Sequence, residues 1–494
     1  MTGGGAPPGL ALKSAAGRWV LAAAVLGSGM AMLDATVVNV ALPRIGANLH
    51  AGLTSLQWLL NAYTLTLSGL LLLGGSLGDR LGRRRIFAHG VLWFAIASAG
   101  CALAPTVQVL IGMRAAQGVA AALLTPGSLA ILEAVFRRED RAAAVGAWSG
   151  LGGVATAIGP VLGGLLTGLA PWGWRLVFLL NLPLAAVVLV VTRNWVPETR
   201  DEQAGGRLDL TGAALAALGL GGVVYALTEG PVRRWPGSLL ATAAAGVALL
   251  VAFGINEHRR QSPMMPLSLF SSRQFSAANL VTFLVYAALS GSLFLLPVQL
   301  QLVSGFSPVA AGSSMLPVTV VMLLLSARMG RLAQRIGPRR PMAVGPVLAG
   351  IGLALLVRLG PDSGYLTGVL PAVVIFALGL SGTVAPLTAT VLAAAPEHQV
   401  GIASAVNNAV ARTAGLLAVA VLPALAGITP TALAHPAALS TGFHHAVLIA
   451  AGLCIAGGLL AWLTISDDVL AGEPAPAVPA ATPPAPHPPS LPGH

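Results

Sequence analysis

The chain has 494 residues, of which 56% are hydrophobic and only 9% charged, with a mean hydropathy of +0.83. A water-soluble protein of this length carries roughly a quarter charged residues, so the composition excludes a soluble globular domain and points to a polytopic membrane protein. The net charge of +11 does not indicate nucleic acid, because the arginines cluster in short segments between apolar runs; the single lysine, Lys13, rules out a phosphate-binding GxxxxGK[ST] loop.

Residues 1–17, rich in Gly, Pro and Ala, are expected to form a disordered tail. Six apolar windows follow at about 19–42, 55–77, 86–104, 107–130, 143–168 and 174–192, each long enough to cross a bilayer as a helix. Two more lie at about 210–228 and 237–255. A last set of six, at about 276–300, 309–328, 341–358, 367–393, 401–425 and 444–464, brings the number to fourteen. The 60 glycines and 35 prolines suit helices that pack closely and bend in lipid. The Pro- and Ala-rich tail 466–494 is expected to be disordered. Cys101 and Cys454 both fall inside apolar windows, so neither a disulfide nor a metal site is expected.

With the N-terminus inside, twenty basic residues fall in cytoplasmic segments and five outside, which places both termini in the cytoplasm. The remaining two, Arg114 and Arg412, fall within helices. The chain also repeats itself. GGSLGDRLGRRR (Gly74 to Arg85) returns as RMGRLAQRIGPRR (Arg328 to Arg340) at an offset of 255 residues, with Gln334 in the place of Asp79. Residues 142–159 line up with 400–415 at almost the same offset. These repeats divide the chain into a six-helix half over 18–192, a two-helix linker over 193–275 and a second six-helix half over 276–465. Parallel halves of this kind place a substrate site between them, near the midplane.

An acid in hydrocarbon costs several kcal/mol unless it is paired, hydrated or protonated. Asp34 stands in the first apolar window, about fifteen residues or roughly 22 Å from the start of its helix. Glu133 lies near a helix end beside Arg137, and His89, His398 and His444 are also near ends. By elimination Asp34 is the candidate protonation site. The loop around Asp79 reads either as a basic anchor for anionic lipid headgroups or, given its acid and its glycines, as a loop of set shape with an internal ion pair.

Four motifs carry a family resemblance: LDATVVNVALP (Leu33 to Pro43), GSLGDRLGRR (Gly75 to Arg84), Arg114 with Gln117 and Gly118, and Ala155-x-x-x-Gly159-Pro160-x-x-Gly163-Gly164. WRLVFLLNLP (Trp174 to Pro183) and NNAVARTAGLLAVAV (Asn407 to Val421) agree with them. Together they resemble the fourteen-helix drug:proton antiporter family of the major facilitator superfamily, over residues 18–465. The resemblance implies an all-α membrane fold of two pseudo-symmetric six-helix bundles with two inserted helices. It implies proton coupling through Asp34, with Arg114 at matching depth as its partner if helices one and four are neighbours. It makes Gly75, Gly78, Asp79, Arg80, Gly82, Arg83 and Arg84 a cytoplasmic conformational latch, asymmetric because Gln334 replaces the acid in the second copy. Gly159, Pro160, Gly163 and Gly164 become the antiporter helix, although its first Gly is Ala155 here.

Cavity candidates are Asn39, Asn61, Tyr63, Gln117, Tyr286, Gln299, Asn407, Asn408 and Arg412, each open to the alternative of a polar contact between helices. The expected function is proton-driven export of lipophilic drugs or antibiotics by a bacterial cytoplasmic-membrane protein. It is a transporter rather than an enzyme, monomeric, bound by membrane lipids, with no nucleic-acid partner and no cofactor beyond the proton gradient. The alternatives are a proton-coupled importer or facilitator of a small metabolite and, remotely, a non-transporting sensor or scaffold.

Overall fold

The computed structural model describes residues 9–200, 209–260, 263–396, 399–429 and 431–470. Within them, fourteen helices are long and apolar enough to cross a membrane. They are α1 (Ala15–Leu49), α2 (Leu53–Leu81), α3 (Arg83–Leu103), α4 (Val107–Val135), α5 (Arg138–Gly168), α6 (Trp174–Trp195) and α7 (Leu210–Arg233). They continue with α8 (Gly237–Arg259), α9 (Arg273–Leu302), α10 (Pro308–Ile336), α11 (Arg339–Arg358), α12 (Tyr365–Ala393), α13 (Val400–Leu425) and α14 (Pro436–Thr464).

Local chemistry sets several of these boundaries. Ser14, Thr106, Asp209 and Ser272 cap α1, α4, α7 and α9 by accepting from backbone N–H groups that the first turn leaves unpaired. α6 and α10 are each interrupted once, after Leu179 and after Ser313. A proline follows four residues after each break, Pro183 and Pro317, and proline lacks the N–H that would bond the carbonyl four residues back. Both interrupted helices end up beside functional side chains, so the breaks matter below.

Within the first bundle, α1 packs on α5 and α6, α4 on α2 and α3, and α3 on α6. The second bundle repeats that scheme, with α9 on α13 and α14, α12 on α10 and α11, and α11 on α14. α7 pairs with α8 and bridges the bundles through α2 and α13. The repeat in the sequence is thus a repeat in packing.

One end of the molecule carries Arg83, Arg84, Arg137 and Arg141; among the described residues, the hydrogen bonds that join the two bundles all lie at the other, arginine-poor end. Gln57 of α2 donates to the carbonyls of Val419 (2.7 Å) and Ala420 (3.2 Å) on α13, and Gln301 of α9 donates to Val40 O on α1 (3.0 Å). At the same end α5 and α10 touch through glycines: a Cβ on Gly164 would strike the Pro308 carbonyl, and a Cβ on Gly312 the Pro160 carbonyl. The backbones meet there because neither residue has a side chain.

Two expectations about the tails need correcting. Residues 9–14 are ordered against the turn between α4 and α5, with Leu10 N–H donating to Val135 O (2.8 Å), Arg137 N–H to Leu10 O (3.2 Å) and Leu12 N–H to Asp140 Oδ2 (2.9 Å). At the other terminus Asp467–Leu470 forms a short helical turn, anchored where Asp467 accepts from the Arg339 N–H (3.2 Å). In both cases backbone hydrogen bonds to a helix end supply what the composition does not reveal. Residues 1–8 and 471–494 lie outside the described residues.

The glycine contact yields a prediction. Gly312→Leu should force α5 and α10 apart at the arginine-poor end. A cysteine placed at Ser290 in an otherwise cysteine-free protein should then react severalfold faster with a membrane-impermeant maleimide added from that side. An unchanged rate would mean that the seal lies elsewhere.

Candidate functional site

Asp34 is fully buried, on the face of α1 turned toward α4 and α6. One carboxylate oxygen, Oδ2, accepts a short hydrogen bond from Arg114 Nη1 on α4. The other, Oδ1, accepts from Gln117 Nε2 (3.0 Å) and from Asn181 Nδ2 on α6 (3.1 Å). Ser98 on α3 ties the two amides together, accepting from Gln117 (3.3 Å) and Asn181 (3.0 Å) while donating to Phe178 O (2.8 Å). Three donors on two helices therefore address one carboxyl group.

Arg114 is equally constrained. Its Nε donates to Leu59 O (3.1 Å) and its Nη1 also donates to Gln117 Oε1 (2.7 Å). The guanidinium lies 4.2 Å from the Tyr63 ring centroid, with the Phe178 ring at 5.9 Å. Arg114 and Tyr63 line the central cavity, whereas Asp34 does not; they form the wall between the acid and the space between the bundles.

That cavity has a volume of about 330 Å³, within the range of sites that hold drug-sized molecules. Asn39, Asn61 and Tyr63 reach it from the first bundle, and Tyr286, Asn408 and Arg412 from the second. Leu60, Leu293, Leu416 and Val419 supply apolar wall.

Three residues expected in the cavity are elsewhere. Gln117 belongs to the shell around Asp34. Gln299 is buried and donates to Ser440 Oγ on α14 (3.2 Å). Asn407 turns away to donate to Thr282 Oγ1 (2.8 Å) and Asn279 Oδ1 (3.1 Å) on α9, joining two helices of the second bundle. Asn407 and Asn408 are neighbours 100° apart around a helix, so only one of them can face the centre.

The loop between α2 and α3 is shaped by two acids. Asp79 pairs with Arg83 one turn on, at 2.7 Å. Gly82 adopts φ +109°, a left-handed conformation that a side chain would strain, and a Cβ there would also strike the carboxylate of Glu198 (2.6 Å). Glu198 accepts from the Arg84 N–H (3.0 Å) and lies 3.7 Å from Arg84 Nε, while Arg83 N–H donates to Thr199 O (2.8 Å). A Cβ on Gly75 would make only ordinary contact with Pro126 of α4 (3.6 Å) and one on Gly78 would meet nothing, so neither glycine is required by a close approach; Arg80 lies in the last turn of α2. The second copy keeps part of this device: Gly337 has φ +84°, and Asp467 accepts from the Arg339 N–H as Glu198 does from Arg84. The copies differ at the Asp79–Arg83 pair, whose acid is Gln334 in the second copy, and in the ion pairs that Glu198 makes with Arg84 and Arg85.

On α5, a Cβ at Gly159 would meet Thr36 Oγ1 and one at Gly163 the Val37 carbonyl (2.7 Å), so this face lies against α1 just beyond Asp34. Pro160 and Gly164 face α10, the other side of the seal.

Asn181, Ser98, Glu198 and Asp467 were not singled out from the sequence. The signal available for Asn181 is an amide inside an apolar span, two residues before a helix-breaking proline; Ser98 carries none beyond its polarity.

The sequence profile described as Major Facilitator Superfamily matches residues 24–420. "Multidrug resistance protein Stp" of Mycobacterium tuberculosis is 37% identical over 79% of this chain and 72% of its own length. "Puromycin resistance protein pur8" of Streptomyces alboniger is 37% identical over 82% and 80%, and the "Tetracenomycin C resistance and export protein" of Streptomyces glaucescens 34% identical over 85% and 78%. Among solved structures, a bacterial homolog to the human lysosomal transporter Spinster, in an inward-facing and unoccupied conformation, superposes with a TM-score of 0.68 over 92% of this chain and 97% of that one, at 18% identity.

Breaking the Asp34–Arg114 pair from one side should cost more than replacing both partners. Arg114→Gln strands a buried charge and is expected to cost about 3–5 kcal/mol, while Asp34→Asn with Arg114→Gln together should recover most of it. Thermal unfolding of the purified variants in detergent checks this; additive losses would mean that the two side chains are not energetically coupled.

Proposed function

The chain belongs to the Major Facilitator Superfamily, and from that premise we propose that it is a proton-coupled antiporter exporting lipophilic drugs or antibiotics across the bacterial cytoplasmic membrane. The observation that carries the proposal is the fully buried Asp34, which accepts hydrogen bonds from Arg114, Gln117 and Asn181 directly behind the wall of the central cavity. The names of the relatives, which describe resistance and export, support the direction of transport.

The cycle is alternating access by rocking of the two bundles. The arginine-rich end is cytoplasmic, as the distribution of basic residues favours. In this reading, a carrier with its arginine-poor end sealed and Asp34 paired with Arg114 is inward-open and deprotonated, ready to take substrate from the cytoplasm. After the bundles rock, a proton from outside reaches Asp34. Protonation removes the counter-ion of Arg114 and leaves one or more of the three donors unpaired, which a low-dielectric site does not tolerate. The Arg114–Tyr63 wall must then rearrange, and the substrate surface changes with it. One proton moving down a potential of 100 mV supplies about 2.3 kcal/mol for this. Release of the proton inside restores the pair.

In this cycle the loop held by Asp79–Arg83 and Glu198 is a latch at the cytoplasmic end, and α5, through Gly159, Pro160, Gly163 and Gly164, is the element that seals the outer end.

Asp34→Asn, in the fraction that folds, should abolish export driven by a pH gradient in proteoliposomes; normal gradient-driven export by that variant would sink the assignment. Arg114→Ala, in the fraction that folds, should shift the pH dependence of transport, and an unchanged profile would remove Arg114 from the coupling step.

A further inference from the structure

Arg412 on α13 lines the central cavity, half-buried, and makes no ion pair or hydrogen bond with any described residue. Arg114, the other cation on the wall, is matched by Asp34 behind it. No aspartate or glutamate is among the described residues around the cavity, so one positive charge faces that space without a counter-ion. Asn61 adds the same polarity: it is 1% exposed, and its Nδ2 donor has no acceptor.

A guanidinium in a low-dielectric cavity is costly unless an anion or water meets it. It offers five N–H donors in a planar fork that fits a carboxylate or sulfonate, and such charge-assisted bonds are roughly twice as strong as neutral ones. The remaining wall is apolar and aromatic, with Leu60, Leu293, Leu416, Val419 and Tyr286 available to cover a hydrophobic body.

We propose, resting on the reading of this cavity as the substrate site, that it selects amphipathic anions: an apolar or aromatic body with one ionised acid group, the acid held by Arg412 with Asn61 as a second donor. Asn39, whose Oδ1 is a buried acceptor without a donor, accommodates a hydroxyl or amide N–H on the body. The choice of charge has a mechanistic consequence. An anion leaving and a proton entering both move charge in the direction that an interior-negative potential favours, so export of the anion is electrogenic.

The test is a charge series of one shape. 1-Naphthaleneacetate, 1-naphthaleneacetamide and 1-naphthylmethylammonium are titrated calorimetrically into the full chain in phosphatidylcholine nanodiscs, with empty nanodiscs subtracted. The anion should bind roughly tenfold or more tightly than the amide, and the cation more weakly than either. Arg412→Gln should lose that preference while keeping the affinity for the amide, which also reports that the cavity is intact, and Arg412→Lys should restore part of it. Cation binding as tight as that of the anion, an anion without saturable binding, or an unchanged preference in Arg412→Gln overturns the proposal. The same proteins in proteoliposomes separate it from the exchange reading. Proton-driven export without a charge preference defeats only the substrate class, whereas Arg412-dependent anion binding without any gradient-driven movement defeats only the exchange.

Discussion

A single buried carboxylate on α1 determines what α3, α4 and α6 must supply. Inside the bundle Asp34 is met by Arg114, Gln117 and Asn181, which donate to it, and those donors are in turn oriented by Ser98, Leu59 O and the ring of Tyr63. A buried ion pair of this kind contributes little net stability compared with an apolar pair of the same volume. In the proposed exchange its value lies in having two states, since adding one proton would remove the reason for the geometry of every group around it. The break in α6 serves the same centre, because Pro183 interrupts the helix just before Asn181 and lets that amide start a new segment facing α1.

The rest of the fold is arranged so that a change at Asp34 can reach the interface between the bundles. α1 carries Asp34 on one face; on another, Thr36 and Val37 pack against Gly159 and Gly163 of α5. The next residue of α5, Gly164, faces the other way and meets the backbone of α10 across the seal. Backbone-to-backbone contacts of this sort hold through dispersion and small-residue fit rather than through strong directional bonds, so they can part and re-form. At the arginine-rich end the corresponding parts are charged and hydrogen-bonded. Glu198 and Asp467, at pseudo-equivalent places after the sixth helix of each bundle, receive backbone N–H groups beside a left-handed glycine.

Much of this was legible in the chain itself. Hydropathy requires fourteen membrane helices, because a backbone in lipid has to satisfy its own hydrogen bonds and a run of about twenty apolar residues has no other stable form. The offset of 255 residues between the two arginine loops required a duplicated bundle, and the burial cost of a charge marked Asp34, Arg114 and Arg412 as groups in need of a reason. Rotation about a helix axis was less visible. Asn407 and Asn408 read alike as polar residues at the same depth, yet one bonds Thr282 and the other lines the cavity. Gln299 and Gln117 likewise sit at cavity-compatible depths and face other helices.

Composition and spacing by themselves determined how many times the chain crosses the membrane, that it is built twice over, and which charges lie too deep to be ornamental. Those properties depend on one-dimensional quantities, the length of apolar runs and the depth of a residue along its helix. The tertiary structure alone decided which donors meet Asp34, that Arg114 stands between it and the cavity, and that Arg412 has no acid beside it among the described residues. These depend on which faces of helices distant in the sequence come together, and a helix with polar residues on more than one face does not declare its rotation until its neighbours have packed against it.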